Sequence, residues 1–384
     1  MNTPTLGLYI HIPFCKQKCV YCDFYSLAGN ESRMEEYTAA LCAHLAALSS
    51  RAARHIVDTV YFGGGTPSYL GPERLCRILQ AIQRHYRVSP DAEITFEANP
   101  DSACDVSALA ALRQAGFNRI SLGMQSADDG ELAEIGRIHT HAQVKAAVAA
   151  AREAGFDNLS LDLIYGLPHQ TMARWKSNLA AALELEPEHL SCYGLKVEEG
   201  TPLYARRHTS ALPDDEAQAD FYLYTVDYLA AQGYRQYEVS NFAKAGRESR
   251  HNLKYWVLGE YLGFGPGAHS DFGGERFAWS RSIDGYLQGV KTGSVPQSER
   301  EAIAPLQRES EWLMLNLRTA GGIAPAEYGT RFGHSFAPYE PFLEQCRKAG
   351  YARFEDGRWH LTAQGFLLSN QIIGQLLDTL AERA

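Results

Sequence analysis

Short apolar or alternating runs, each followed by an amphipathic stretch, recur six times through roughly the first 230 residues, and this strand–helix rhythm constrains the fold more than any other feature. The candidate strands are residues 8–12, 59–62, 93–97, 119–123, 159–163 and 190–194, and each runs into a loop holding Gly, Pro, Ser or Asn. Between them, residues 34–48, 72–85, 106–115, 142–154 and 172–183 carry apolar side chains at spacings of three and four, the pattern of helices coating a sheet. Parallel strands joined by helices follow from that order. Six units are two short of a closed eight-fold barrel, so an α/β chain forming an open, partial (β/α)6 barrel is expected, with function on the loops after the strands. A doubly wound sheet is the alternative. The unusual residue clusters lie directly after these strands, which favours the barrel.

Past residue 232 the texture becomes aromatic- and Gly-rich, and it changes again near residue 299. The expected division is a barrel over 1–232, an α+β extension over 233–298 and a C-terminal domain over 299–384. That last part reads as three helices, a hairpin (352–354 and 359–361, turned by Asp356-Gly357) and a final helix, an order suiting a winged-helix-like module. The module is not notably basic, so packing or substrate covering is expected of it rather than nucleic-acid binding. If it works alone as a delivery module, removing the chain from about residue 299 should spare ligand binding. The net charge of −9, with both signs interspersed, favours neither nucleic acid nor an anionic membrane as partner. No apolar run approaches the ~20 residues of a membrane span, and the N-terminus does not read as a signal peptide, so a cytoplasmic location is expected.

Three of the eight cysteines crowd into one loop after the first strand, Cys15-Lys16-Gln17-Lys18-Cys19-Val20-Tyr21-Cys22. Such crowding points to metal rather than disulfides. Three thiolates on a cubane iron–sulfur cluster leave one iron open to an exchangeable ligand. Zinc is the rival, with His11 as its fourth ligand. Cys42, Cys76, Cys104, Cys192 and Cys346 lie among apolar neighbours, where free Cys acts as a small core residue. The later loops add Gly63-Gly64-Gly65-Thr66-Pro67-Ser68, Glu97 in Phe96-Glu97-Ala98-Asn99-Pro100, Gln125 in Gly123-Met124-Gln125-Ser126, Arg137 in Gly136-Arg137-Ile138-His139, and Asp162 inside an apolar strand. Singly, each reads as a cap, a turn or an ion pair. Together they form a polar set spread around one mouth, and a lone Asp in such a strand is costly to bury without partners.

The CxxxCxxC spacing after a strand, preceded by Tyr9-Ile10-His11-Ile12-Pro13-Phe14, resembles the cluster loop of the radical S-adenosylmethionine (SAM) superfamily, and the later loops resemble its HemN-like branch. The resemblance implies a TIM-like radical SAM barrel with a [4Fe–4S] cluster on Cys15, Cys19 and Cys22. It also implies SAM contacts at Tyr9, Tyr21, Gly64, Gly65, Thr66, Glu97, Gln125, Arg137 and Asp162. Phe24 stands where the coproporphyrinogen dehydrogenase has a further cysteine, and only fourteen residues precede Cys15. Both departures argue against coproporphyrinogen decarboxylation, which is the alternative function, as is another radical SAM transformation such as methyl transfer.

Cys22-Asp23-Phe24 and His251-Asn252-Leu253-Lys254-Tyr255-Trp256 are similar instead to the HemW heme-chaperone subgroup and its HNxxYW motif. That similarity implies heme binding, with His251 as candidate ligand, and delivery of heme to an acceptor hemoprotein of the respiratory chain. An electron donor for the cluster is implied as a further partner; transient contact with a membrane protein and a homodimer are left open. Without the family, a His in an aromatic segment is more often a hydrogen-bonded structural residue. His269 is a second candidate ligand, and His139, His141 and His169, near the expected SAM mouth, read as structural or as supporting the groups that line it.

Overall fold

Leu6, Leu8, Ile10 and Ile12 occupy alternate positions and are fully buried, while Tyr9 and His11 between them point to the opposite face. This two-residue period sets the first strand, β1 (Thr5–Ile12). It repeats in β2 (Ile56–Gly64), β3 (Val88–Ala98), β4 (Arg119–Gln125), β5 (Leu159–Tyr165) and β6 (His189–Gly194). The structure, a computed structural model, describes residues 3–209 and 211–381. Each of the six strands pairs in parallel with the next, as the sequence rhythm requires.

Registers place Ile10, Phe62, Phe96 and Ile120 side by side on one face. Phe96 meets Phe117 and Phe156 at ring distances of 5.3 and 5.9 Å, residues that immediately follow the connecting helices Val106–Ala115 and His141–Glu153. The other face is polar: Tyr9, Tyr61 and Thr95 are in register, and so are Glu97, Ser121 and Ser160. An ordinary barrel interior is packed with Val, Ile and Leu. A polar interior is tolerated only where its groups find partners, so this one is built as a site.

β7 (Tyr261–Phe264) lies parallel to the free edge of β1, and β8 (His269–Phe272), β9 (Glu275–Trp279) and β10 (Gln297–Ala302) continue outward in antiparallel order. The order β10-β9-β8-β7-β1-β2-β3-β4-β5-β6 is linear, so the barrel stays open.

The chain divides into two compact units along lines that differ from the expected three-part division. One unit runs to Gln218 and resumes over Gly259–Ala302; the other takes Ala219–Leu258 and the chain from Ile303 onward. The segment 233–298 is therefore split. Its later strands extend β1, whereas the hairpin Arg235–Glu238 with Asn241–Ala243 and the helix Arg250–Trp256 belong with the C-terminal residues. Strand partnership at this range is set by backbone register, which residue composition does not encode.

In the second unit the helices Pro305–Asn316, Pro325–Phe332 and Glu340–Lys348 precede a hairpin of β11 (Ala352–Glu355) and β12 (Arg358–Leu361), and Ser369–Ala381 forms the last helix. Asp356 and Gly357 both take positive φ (50° and 72°), the conformation a two-residue hairpin turn demands. The backbone N–H of Ala320 bonds the Tyr237 carbonyl at 2.9 Å, and Glu238 bridges Thr319, tying the Arg235–Glu238 strand to the C-terminal part of the same unit.

Candidate cofactor site

Cys15 is fixed by the two-residue strand Phe14–Cys15, which pairs with Leu27–Ala28 and closes the intervening loop at its base. Burial raises the Cys15 thiol above its ordinary range, with Cys19 adding to the rise. Burial likewise pushes Cys22 up to about 11; a hydrogen bond with the Phe24 backbone offsets this in part, and Cys19 and Cys15 add to it. Neighbouring thiols thus oppose ionisation of Cys15 and Cys22, and a bound cation would reverse that preference. Among the described residues no three His, Cys, Asp or Glu side chains converge to hold a single metal ion. A cubane, which takes each thiolate on a different iron, does not ask for such convergence. His11 cannot complete a zinc site as it stands: Nε2 lies 2.9 Å from the Tyr25 carbonyl and Nδ1 3.2 Å from the Tyr9 hydroxyl. Burial holds His11 down to about 4, and it is neutral in this packing.

The loops after successive strands are joined by one chain of polar contacts. Thr66 Oγ1 approaches Cys15 Sγ at 3.5 Å and accepts a hydrogen bond from Asn99 Nδ2 at 3.2 Å. Asn99 Oδ1 accepts from Arg137 Nη2 at 2.7 Å, and Arg137 Nη1 reaches Cys19 Sγ at 3.6 Å. The circuit runs from Cys15 back to Cys19 through the ends of β2 and β3 and the segment after β4. Arg137 also donates to the Gly123 carbonyl at 3.0 Å. A Cβ on Gly123 would stand 2.9 Å from Gln125 Nε2 and 3.0 Å from Arg137 Nη2, which places Gln125 beside the guanidinium. Val20 and Tyr21 pack on Ile135, Ile164 and Leu167, so the cluster loop is anchored on the segments after β4 and β5.

Glu97 accepts from the Tyr61 hydroxyl at 2.8 Å and the Gly64 N–H at 3.1 Å. Burial still raises it to about 7, with the charge of Asp162 adding to the shift. Asp162 lies deeper, at mid-strand, outside the thiol circuit. It accepts from Ser191 at 2.6 Å, from Ser121 at 2.9 and 3.1 Å and from Ser160 at 3.3 Å. Burial raises its pKa and these hydroxyls offset the rise. The structure therefore brings together Cys15, Cys19, Thr66, Gln125 and Arg137, with Tyr21 packed alongside. Glu97, Tyr9 and Gly64 form an adjoining group, and Asp162 sits beneath them. Asn99 joins the two halves of the circuit and is absent from the site expected from sequence. The signal for it was its place two residues beyond Glu97 at the end of a barrel strand. His139 and His141 lie at hydrogen-bond distance from the Met124 and Ala127 carbonyls, 3.1 Å in each case.

The radical SAM superfamily model matches residues 9–180, and the HemN C-terminal domain model matches residues 303–368. Over 97% of its length and 99% of the relative's, the chain is 36% identical to the heme chaperone HemW of Bacillus subtilis. The chain belongs to the HemW family. HemW of Escherichia coli is 35% identical over 97% of this chain and 98% of its own. The coproporphyrinogen III oxidase HemN of Escherichia coli, a radical SAM enzyme, superposes with a TM-score of 0.85 at 25% identity, covering 97% of this chain and 89% of that one. HemW-family membership within the radical SAM superfamily carries a [4Fe–4S] cluster and SAM. The residues present fit both: three thiols on one eight-residue loop, a glycine turn whose backbone leaves no room for a Cβ at Gly65, and a polar interior.

The HNLKYW motif of this HemW-family chain forms the helix Arg250–Trp256 in the second unit. Ser249 caps it by accepting from the Asn252 N–H, and the Ser249 N–H donates to the Tyr237 hydroxyl at 3.3 Å. His251 is 1% exposed and its Nε2 lies 2.8 Å from the Tyr255 hydroxyl. His269 is exposed on β8, in the other unit. Phe24 is 63% exposed.

Proposed function

We propose that this protein is a heme chaperone: it binds heme through the HNLKYW helix and passes it to an acceptor hemoprotein. The observation that carries this reading is the full-length identity to HemW, a heme chaperone in Bacillus subtilis, at 36%. Cys15, Cys19 and Cys22 hold the cluster. Tyr9, Tyr21, Gly64, Gly65, Thr66, Glu97, Gln125, Arg137 and Asp162 serve SAM, joined by Asn99. When bound, the cluster and SAM together supply one-electron reductive chemistry. The chain's own share is positional: Arg137 keeps its charge beside Cys19, Asn99 fixes Arg137 against Thr66, and Tyr61 and Gly64 orient the Glu97 carboxyl. Among the described residues no helix is long and apolar enough to cross a membrane. The acceptor belongs to the respiratory chain, where a membrane-protein acceptor would be met transiently from the cytoplasmic side, and a separate protein reduces the cluster.

Anaerobically reconstituted protein titrated with heme and followed by visible absorbance should bind one equivalent saturably, with weaker binding in His251→Ala. A flat titration in the wild type removes the chaperone reading. A second reading, oxidative decarboxylation of coproporphyrinogen III, is favoured by the TM-score of 0.85 to the oxidase. Its mark is vinyl product formed with SAM consumption, and none is expected.

A further inference from the structure

At the end of the barrel opposite the cofactor loops, two neighbouring helices stop side by side. The helix Met34–Leu48 runs into the turn Ser49–Ala52, and just past the helix Pro72–His85 the Tyr86 hydroxyl donates to the Leu45 carbonyl at 2.8 Å. The Val57 N–H, near the start of β2, donates to the Arg87 carbonyl at 2.8 Å, so the connections entering β2 and β3 also touch. Arg51 and Arg54 on the first connection, with Arg84, His85 and Arg87 on the second, are all exposed, and residues 49–57 and 83–90 contain no acidic side chain. Among the described residues the guanidinium groups of Arg54, Arg84 and Arg87 enter no ion pair or hydrogen bond. Arg51 lies over the Phe272 and Phe277 rings, 5.5 and 5.3 Å from their centres. Carboxylates bordering this surface are engaged elsewhere: Glu260 by His55 at 2.9 Å and the Gly273 N–H at 2.7 Å, and Asp91 by Ser89. Asp58 is half-buried.

A chain of net charge −9 thus gathers four arginines at one end of its barrel. Helix C-termini attract cations, which accounts for Arg84. Arg54 and Arg87 lie beyond both helices, and grouped like charges repel one another unless an anion meets them. A stable protein partner wants an aromatic or aliphatic anchor at the centre of its interface. None of the large apolar side chains exposed among the described residues falls in 49–57 or 83–91. Readers of single-stranded nucleic acid add stacking aromatics, and duplex readers an element that enters a groove; here the helices end at the surface and Tyr86 is buried. What remains is a plain field of guanidinium groups, which pair with phosphate. We infer that this end of the barrel docks on an anionic phospholipid bilayer, with Arg51, Arg54, Arg84 and Arg87 meeting the head groups and no side chain inserting. From here β2 and β3 run nine and eleven residues to Gly64 and Ala98. That is roughly 30 Å at ~3.3 Å a residue, so a docked barrel keeps its cofactor loops on the aqueous side.

The test is co-sedimentation of the full-length, anaerobically reconstituted protein with vesicles of phosphatidylcholine alone or with about a quarter phosphatidylglycerol. The wild type should bind the anionic vesicles and not the neutral ones, and binding should fall several-fold between about 50 mM and about 500 mM salt. Arg54→Glu with Arg87→Glu should weaken it about tenfold or more while iron content is kept. Arg54→Gln with Arg87→Gln, the milder pair should the first fail to fold, should weaken it by a smaller factor. Lys348→Glu with Arg353→Glu, the same change of net charge on the other unit, should leave it intact. Absence of vesicle binding, equal binding to neutral vesicles, or equal weakening by the Lys348 and Arg353 pair overturns the assignment. So does binding to a DNA duplex, lost in the Arg54 and Arg87 variants, by a protein that ignores the vesicles. Vesicle binding calls for no heme, so its failure leaves the chaperone reading standing, and a flat heme titration leaves this assignment standing.

Discussion

Gly64 and Gly65 occupy positions no other side chain could take. Gly64 has φ +108°, and a Cβ there would lie 2.4 Å from the His11 ring. At Gly65 the obstacle is backbone: the Ile12 carbonyl at 2.7 Å and the Phe14 carbonyl at 2.8 Å. Backbone cannot rotate away as a side chain can, so Gly65→Ala must push the glycine turn off the strand that delivers Cys15. Iron retained per chain after anaerobic reconstitution should fall several-fold in Gly65→Ala, while Gly273→Ala, with nothing within 4 Å of its Cβ but φ +65°, should keep its iron. Glu97 carries a pH prediction. Burial raises its pKa from 4.5 to about 7, so the folded chain binds this proton more tightly than the unfolded chain. Its unfavourable contribution is absent below the unfolded pKa, grows as pH rises through the interval, and is complete above about 7, at about 3 kcal/mol. In the SAM-free protein Glu97→Gln should raise stability at about pH 8 and leave it little changed at about pH 4, as read by urea denaturation. The cysteines and Glu97 were legible in the sequence because thiol spacing and a carboxylate ending a strand are local signals. Asn99 was not, because its value lies in reaching Thr66 and Arg137, residues 33 and 38 positions away.

At the scale of elements, all six barrel strands were visible because their two-residue period is intrinsic to each segment, and the Asp356-Gly357 hairpin because its turn chemistry is local. The pairing of β7 with β1 across some 250 residues of chain is a register property and was not visible. A buried carboxylate governs the region after β4. Glu131 Oε2 accepts from Ser126 at 2.6 Å, Asn178 at 2.9 Å and Gln170 at 3.1 Å, linking the end of β4, the helix Met172–Leu183 and the loop after β5. Glu131→Ala would strand the Asn178 and Gln170 amide donors, Ser126 keeping Asn178 Oδ1 at 3.3 Å, and each orphaned group costs about 1–3 kcal/mol. Denaturant unfolding should show a loss of about 3 kcal/mol or more, with Glu131→Gln recovering part of it through its remaining acceptor oxygen. Because Gln125 and Arg137 flank this region in the chain, SAM affinity of the folded Glu131→Ala protein should fall as well, measurable by equilibrium dialysis.

For the whole molecule, the division into two units changes what a truncation means. The C-terminal residues are not a detachable delivery module: Ala320 and Thr319 bond the strand whose Tyr237 hydroxyl holds the cap of the HNLKYW helix. Removing residues 303–384 should therefore abolish heme binding while iron stays on Cys15, Cys19 and Cys22, the reverse of the sparing that an independent delivery module would give. Iron content and heme titration on one truncated preparation separate the two. On the proposed reading the polar barrel interior and the thiol circuit serve the cluster and SAM, the HNLKYW helix serves the cargo, and delivery requires both to survive in one chain. The most direct test of that account is heme transfer from the loaded, reconstituted protein to a heme-free respiratory cytochrome, followed by the acceptor's own absorbance. Stoichiometric transfer, outpacing release of heme to a passive scavenger, is the predicted result. Loss to the scavenger at the same rate, with no preference for the acceptor, would contradict it.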